Sequence, residues 1–290
     1  GVQTCALPIW GLEMKRTTRK EICKIVRTIL AVCFGFLMIA PVLFMVSTSF
    51  KEEAQIWKYD IQWIPRPLVI QNYIRVFTDM PFVRFFINSC IVAGGVTLGQ
   101  IVTGYLAAYA FARIRFTGRD KIFMVFLATM MIPGYVLIIP QYIMIDKLGL
   151  MNTYAAMILP SMVTAFSIFL LRNFMYSIPL ELDEAAMMDG ANRLQILLRI
   201  IVPLTKPALS AMIIFVFMNA WNNFLWPLLV TSNEKMRTIP LALSYFQSSN
   251  SAEYGPLMAA ALVASAPILI VFLFAQNKFI EGMTMSGVKG

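Results

Sequence analysis

The chain contains no histidine, and only 13% of its 290 residues are charged. Histidine is the commonest metal ligand and the usual acid–base group near neutral pH, so sites that depend on it are excluded. The four cysteines include no CxxC pair, and we interpret them as small apolar residues rather than as a disulfide or metal framework. We therefore expect no catalytic site, no metal site and no cofactor in this chain.

Apolar residues dominate the rest of the sequence. They make up 59% of the chain, and the mean hydropathy is +0.72, whereas soluble domains are about 45–50% apolar. Six apolar runs are long enough for helices that cross about 30 Å of hydrocarbon. They span about 29–49, 85–111, 122–140, 156–174, 207–230 and 258–276. The sequence predicts an all-α membrane protein with six transmembrane helices, the third kinked at Pro133-Gly134.

Ionisable residues are missing from the middle of all six runs. Ion-coupled secondary transporters usually carry such groups at the midplane and show repeated halves. Intramembrane proteases need a Ser/His pair, paired Asp residues or a His/Glu metal motif within their spans. Both classes fit poorly, and the ion-coupled transporter stays a weaker alternative. The chain also has no GxxxxGK[ST] pattern, so we expect it not to hydrolyse ATP itself.

The distribution of basic residues predicts the orientation in the membrane. With the N-terminus inside, sixteen of the 24 Lys and Arg residues fall in inner segments and eight in outer segments. Lys and Arg gather on the cytoplasmic side of membrane proteins, so both termini are predicted to be cytoplasmic. The same rule accounts for the net charge of +9 without a nucleic-acid partner.

The first nine residues, GVQTCALPI, match the translation of a sequencing-adapter oligonucleotide. We expect residues 1–13 to be non-native and Met14 to be the natural start. Residues 14–28 are then a basic cytoplasmic N-terminus, 29–276 the six-span transmembrane domain, and 277–290 a cytoplasmic tail.

A charged stretch, PLELDEAAMMDGANRLQILLRIIVPLTKP, interrupts the apolar sequence between the fourth and fifth runs. The proline and the acidic residues at its start suit the first turn of a helix and its positive dipole end. Gly190 can end that helix, and Asn192 can cap a second one, which Pro203 and Pro207 would break. The segment 177–206 is predicted to be a cytoplasmic helix-turn-helix loop.

The string EAAMMDG, followed nine residues later by IIVP, closely resembles the EAA loop of ABC importer permeases, with Val202 where that pattern has Leu. The stretches LGLMNTYAAMILP, AWNNFLWPLLVT and GMTMSGVKG resemble the carbohydrate-importer branch, the maltose-type inner-membrane permease subunit. The resemblance runs from about Lys24 to the C-terminus.

The resemblance implies how transport is driven. In that family the EAA helix docks into a cleft of a cytoplasmic ABC ATPase dimer, which hydrolyses ATP and swings the spans. Small residues allow close approach, an acidic residue meets a basic group of the ATPase, and glycine allows a sharp turn. The coupling residues implied here are Glu184, Ala185, Ala186, Asp189, Gly190 and Pro203. The family also implies a second homologous permease subunit, an extracytoplasmic solute-binding protein and a sugar substrate.

Three amides, Asn219, Asn222 and Asn223, lie among aromatic residues in the fifth run. Amides in a bilayer seldom face lipid, so they should face the bundle or a substrate pathway. We favour a helix–helix hydrogen bond over sugar contact for them. In the second run, Gly95 and Gly99 form a GxxxG pattern that predicts tight helix packing.

The segment 231–257 between the fifth and sixth runs is too long for a simple connection and is predicted to be extracytoplasmic. Its amphipathic stretch IPLALSYFQ could form a short helix on the outer face. By the maltose-type resemblance, this loop reaches into the docked binding protein, and we expect the contact at Ser248, Ser249, Asn250 and Ser251. A disordered surface loop is the alternative.

The interpretation that joins these features is a permease subunit of a binding-protein-dependent ABC importer for a sugar or oligosaccharide. It would lie in a bacterial cytoplasmic membrane as a multi-pass protein. The EAA loop alone does not exclude a non-sugar solute, although the WNNFLWP run and the GVKG ending argue against one.

Overall fold

The computed structural model describes the backbone of residues 10–60, 62–247 and 253–287, and side chains at 21, 23–60, 62–244, 246 and 253–276. Within these ranges the regular structure is helical and no strand occurs, so the all-α prediction is confirmed. The predictions for residues 1–9 and for Ser248–Ser251 concern residues outside the described part.

The first half of the chain forms helices α1 (Trp10–Ser49), α2 (Glu53–Ile56), α3 (Gln71–Thr78), α4 (Phe82–Arg113), α5 (Arg119–Ala128), α6 (Ile138–Lys147) and α7 (Tyr154–Ile158). The second half forms α8 (Ala165–Tyr176), α9 (Glu181–Met188), α10 (Arg193–Ile196), α11 (Val202–Leu204), α12 (Lys206–Trp221), α13 (Leu225–Val230), α14 (Ile239–Leu243) and α15 (Tyr254–Gly287). Short 3₁₀ helices lie at Thr129–Met131, Gly134–Leu137, Leu159–Ser161, Glu234–Met236 and Ser244–Gln247, and a π-helix at Leu197–Ile201.

Three of the described helices are long and apolar enough to cross a membrane unbroken, namely Cys23–Ser49, Phe82–Arg113 and Tyr254–Gln276. Three further pairs pass the same test only as bent units. These are Arg119–Met131 with Gly134–Lys147 (93°), Tyr154–Ser161 with Ala165–Tyr176 (47°), and Arg193–Leu204 with Lys206–Trp221 (80°). Up to six crossings result, and the predicted break at Pro133-Gly134 is confirmed.

Two further breaks within the apolar runs differ from the prediction of continuous spans. The run 207–230 stops at Trp221 and restarts at Leu225, because the ring of Pro227 would clash with the carbonyl four residues earlier. In the run 156–174, Pro160 has no N–H for the carbonyl of Ala156, and the indole Nε1 of Trp226 donates to that carbonyl instead, at 2.9 Å. Prolines therefore set both breaks.

Two apolar cores stabilise the bundle. One lies where α4, α8, α10 and α12 meet, and it includes Tyr105, Ile168, Leu171, Met175, Ile196, Ile201 and Met212. The other lies nearer the opposite end, among α3, α4, α12, α14 and α15, and it includes Val76, Phe82, Phe85, Trp221, Ile239 and Ala260. Tight packing at the GxxxG pattern is confirmed, since a Cβ on Gly95 or Gly99 would lie 2.7 Å from Ile158 or Met162.

Charged side chains mark the two ends of the bundle. At one end, here called the α9 end, Arg113 faces Asp183 and Arg172 contacts Asp120 at 3.3 Å. At the other, called the α3 end, Arg75 bonds Glu253 at 2.6 Å, and the Arg84 Nε donates to the carbonyl of Lys235 at 2.9 Å. Successive loops alternate between these ends, as a six-span path requires.

Helix α1 lies at the edge of the bundle. Within Cys23–Ser49 no residue of its most apolar window is buried, and Phe36, for example, is 69% exposed. Soluble proteins rarely expose so large a contiguous apolar surface to water. This helix therefore faces lipid or another subunit.

Candidate functional site

The segment with the EAA string presents a short exposed helix at the α9 end. In α9, Glu184, Ala185 and Asp189 just beyond it are exposed, and Ala186 is half-buried against the first core. Met188 is 89% exposed. Asp183 is the one buried residue of α9, at 1% exposure. The helix thus exposes small and acidic side chains while one carboxylate points into the bundle.

A left-handed glycine ends α9. Gly190 has φ +83, and no side chain or backbone lies within 4 Å of where its Cβ would stand. This conformation suits glycine because other L-residues are strained there. The next helix begins with a capping box: the Asn192 Oδ1 accepts from the Gln195 N–H at 2.9 Å, and the Gln195 Oε1 accepts from the Asn192 N–H at 2.8 Å.

The second helix of the segment does not stop before Pro203, which corrects the expected break. Helical structure continues from Arg193 to Leu204 through the π-helical turn. A widened turn accommodates a residue that has no N–H to donate. The 80° bend falls at Thr205, whose hydroxyl bonds the Tyr105 hydroxyl at 2.9 Å. Pro207 then lies in the first turn of α12, where it is tolerated.

Arg113 and Asp183 were not singled out from the sequence. They form a buried pair with 3.9 Å between the Arg113 Nε and the Asp183 Oδ2. Burial raises the pKa of the Asp183 carboxyl, and the positive charges of Arg113 and Arg193 oppose that rise. A sequence signal did exist, because Arg113 is a basic residue at the very end of an apolar run and Asp183 directly precedes the EAA string.

A cavity of about 370 Å³ opens between α4, the broken α7–α8 span, α12 and α13. Polar groups on its wall are neutral hydrogen-bonding groups: Gln100, Ser161, Thr164, Asn219 and Asn223. Aromatic rings of Phe166, Phe215 and Trp226 lie beside them. None of the described residues that line the cavity is charged. A second cavity of about 630 Å³ adjoins it, shares Asn219, Asn223 and Trp226, and includes Asn222 and Gln141.

The three asparagines of the fifth run border these cavities, and the hydrogen bonds observed for Asn219 and Asn223 are local rather than the favoured helix–helix bonds. The Asn219 Nδ2 donates to the carbonyl of Phe215 on the same helix at 2.8 Å, and Asn219 is exposed. The Asn223 Oδ1 accepts from the Trp226 N–H, in the first turn of α13, at 3.3 Å. Asn222 is exposed. Amide groups of these asparagines that take no part in these hydrogen bonds are therefore left facing the cavities.

A buried amide, which no sequence pattern indicated, supports the cavity wall. The Gln100 Nε2 donates to the carbonyl of Ser161 at 2.7 Å, and its Oε1 accepts from the hydroxyls of Thr164 and Ser167 at 3.0 and 2.6 Å. Thr164 also caps α8 by accepting from the Ser167 N–H. This network holds the proline-induced break of the fourth span against α4.

The segment 231–257 lies at the α3 end. Its predicted short helix exists as α14, but it is buried on α4 and not laid on the surface, since Ile239 is 1% and Ala242 2% exposed. The Ile239 N–H donates to the Ser89 hydroxyl, and Asn88 donates to the carbonyls of Lys235 and Arg237. The segment is anchored at both sides of the undescribed residues 248–252.

Comparison with known proteins identifies the family. Residues 100–284 match the model of the binding-protein-dependent transport system inner membrane component family. This chain belongs to that family. It is a transport component that crosses the membrane several times, of the ABC importer permease kind predicted from the EAA string.

Curated relatives resemble this chain over nearly its whole length. The arabinooligosaccharides transport system permease protein of Halalkalibacterium halodurans is 34% identical and covers 96% of this chain and 100% of the relative. The trehalose/maltose permease protein of Thermococcus litoralis is 34% identical and covers 94% and 99%. The lactose permease protein of Rhizobium radiobacter is 33% identical and covers 93% and 98%.

A solved structure shares the fold. A chain of a bacterial ABC transporter described as importing the acidic polysaccharide alginate superposes with a TM-score of 0.80 at 24% identity, covering 90% of this chain and 98% of that one. A second alginate transporter structure, solved with an alginate pentasaccharide-bound periplasmic protein, gives a TM-score of 0.65 at 16% identity, covering 90% and 95%.

Proposed function

We propose that this chain is the permease subunit of a bacterial importer that carries a sugar or oligosaccharide across the cytoplasmic membrane. A second permease subunit completes the pathway, an extracytoplasmic binding protein delivers the solute, and a separate ATPase dimer drives the cycle. The single observation that carries the proposal is the uncharged, amide- and aromatic-lined cavity in a chain of this importer family.

The chemistry of the cavity fits a neutral polyhydroxylated solute. Sugar hydroxyls need donors and acceptors, which Gln100, Asn219 and Asn223 carry, and the apolar faces of a sugar ring pack on aromatic rings such as Phe215 and Trp226. Charged solutes would need a countercharge, because burying an unpaired charge costs far more than burying a hydroxyl. Relatives named for arabinooligosaccharides, trehalose/maltose and lactose support the same class of solute.

The exposed helix α9 suits the proposed contact with an ATPase. Ala185 lets the partner approach closely, Glu184 offers a charge for a basic group, and the Gly190 turn sends the chain back towards the bundle. Backbone hydrogen bonds close the end of α9 at the Gly190 turn, and a capping box starts α10, so the two short helices are held in a defined arrangement. With α9 on the cytoplasmic side, both termini are cytoplasmic and the α3 end faces outwards, where residues 248–251 would meet the binding protein.

The test is uptake in proteoliposomes that hold this chain together with its second permease subunit, ATPase and binding protein. Labelled oligosaccharide should accumulate only with ATP on the ATPase side and binding protein on the other side. Labelled amino acids serve as the matched non-sugar solutes. Accumulation driven by a proton or sodium gradient without ATP, or uptake of amino acids but not sugars, would overturn the proposal.

A further inference from the structure

Arg113 joins three elements at the α9 end. It is the last residue of α4, and its Nη2 donates to the carbonyl of Met175 at 2.7 Å and to that of Ile178 at 2.8 Å, at the end of α8. Its Nε faces the Asp183 carboxylate of α9 at 3.9 Å. The two side chains are 4% and 1% exposed. One guanidinium thus connects the end of one span, the end of another and the exposed helix.

Helix α9 has little else that ties it to the bundle. Asp183 is its only buried residue, and no other element packs extensively against it. Ala186 lies partly against the first core, while the remaining side chains face outwards. A displacement of α9 would therefore reach the spans through the backbone at its two ends and through Asp183.

The contact between the two charges is open. Both Asp183 oxygens and the Arg113 Nε lack hydrogen-bond partners among the described residues. At 3.9 Å the pair is beyond hydrogen-bond range, and a shift of about 1 Å would bring it within range. Unpartnered buried polar groups destabilise a folded state, so this arrangement does not serve stability best. It suits a contact in which the distance between the two charged groups shortens when α9 moves towards the spans.

We propose that Arg113 and Asp183 are positioning residues that transmit movement of α9 to the ends of α4 and α8, and so link ATP hydrolysis to solute movement. This inference rests on the proposed function of the chain as the permease of an ATP-driven importer. The Asp183 carboxylate moves with α9. The Arg113 guanidinium follows it and moves the end of α4, on which it lies, and the end of α8, to which it donates two hydrogen bonds. Arg193 adds a further positive charge near the same carboxylate.

The test measures solute transported per ATP hydrolysed by the complete importer in proteoliposomes. Asp183→Asn keeps the size of the side chain and removes its charge. We expect it to assemble with the ATPase, to hydrolyse ATP, and to lower the transport-to-hydrolysis ratio about tenfold. Glu181→Gln removes one negative charge from an exposed position of the same helix and should keep the wild-type ratio.

A purely structural role would lower assembly, transport and hydrolysis in proportion, and an unchanged ratio in Asp183→Asn would overturn the inference. If that variant does not assemble, Arg113→Lys gives the same readout with the charge kept and the forked grip on two carbonyls lost; it should lower the ratio. In the double variant Arg113→Gln/Asp183→Asn, the ratio should fall no further than in the worse of the two single variants Arg113→Gln and Asp183→Asn. A wild-type importer that moves no sugar would instead overturn the proposed function.

Discussion

Each contact proposed for this chain depends on a few single residues, and the contact of Glu184 can be tested most directly. It lies on the outward face of α9 beside two small residues, where a partner's basic group could meet it. The other acidic residues of α9 precede the EAA string, whereas Glu184 is its first residue. If α9 docks as proposed, reversing the charge at this one position should disrupt the contact.

Glu184→Lys should abolish uptake while the protein remains in the membrane. Two positive charges brought together at a docking contact repel each other by more than the about 1.4 kcal/mol that a tenfold change requires. Co-purification of the ATPase and uptake in proteoliposomes both measure the loss. Glu52→Lys makes the same charge change at an exposed site of the opposite end and should transport normally. Normal uptake by Glu184→Lys would mean that this carboxylate makes no docking contact.

Asn219→Leu tests the cavity wall. The Asn219 amide donates one hydrogen bond to the carbonyl of Phe215, and its other N–H and its Oδ1 remain available on the wall of both cavities. Losing a hydrogen bond of the usual net strength should lower uptake about 2- to 10-fold. The ATPase activity of the complex without solute should stay unchanged. Met218→Leu, the neighbouring position on α12, is the control, and equal uptake by both variants would exclude Asn219 from the pathway.

Whole elements are positioned by small residues and by prolines. The second span packs closely on the broken fourth span because Gly95 and Gly99 leave room for Ile158 and Met162. The break itself follows from Pro160 and is held by the Gln100 network and by Trp226. The shape of the cavity therefore depends on two glycines and a proline as well as on the side chains that line it.

Gly95→Val should destabilise the chain by about 1–3 kcal/mol, since its Cβ would lie 2.7 Å from the Ile158 side chain. Gly94→Val is a closely matched control, because nothing lies within 4 Å of a Cβ at that neighbouring position of the same helix. Any difference in helix propensity cancels between the two. Thermal unfolding of the purified chain in detergent measures the effect, and equal melting temperatures would contradict the packing.

The whole molecule has two chemically different ends separated by apolar surface. Tyr59 at the α3 end is fully exposed, and Met188 at the α9 end is 89% exposed. The excess of basic residues at the α9 end predicts that it faces the cytoplasm. Orientation is thus a property of the entire chain rather than of any one span.

Membrane-impermeant maleimide applied to intact cells tests this orientation. In a background without the native cysteines, Tyr59→Cys should react from outside, whereas Met188→Cys should react only after the membrane is opened. A cysteine-free chain is the control for unspecific labelling. The reverse pattern would mean that the N-terminus lies outside and that α9 cannot meet a cytoplasmic ATPase.

The helical class, the approximate spans, the short helix with its glycine turn and the family were all predictable from the amino-acid sequence. These follow from local chemistry: apolar runs of membrane length, prolines that break helices, and a glycine at φ +83. The residues of the EAA string also lie in one continuous segment of the chain, so the motif could be recognised without knowledge of the fold.

Contacts between residues that are distant in the chain could not be predicted from the sequence and are known only from the folded structure. Gln100 binds Ser161 and Ser167, and Arg113 faces Asp183, across separations of about sixty or seventy residues that no local pattern encodes. The expected helix–helix bond of Asn219 was wrong because its own helix offers the carbonyl of Phe215. Likewise α14 was expected on the surface, but α4 offers it an apolar face to be buried against. Burial and pairing of this kind depend on how the helices pack, which periodicity along one segment does not specify.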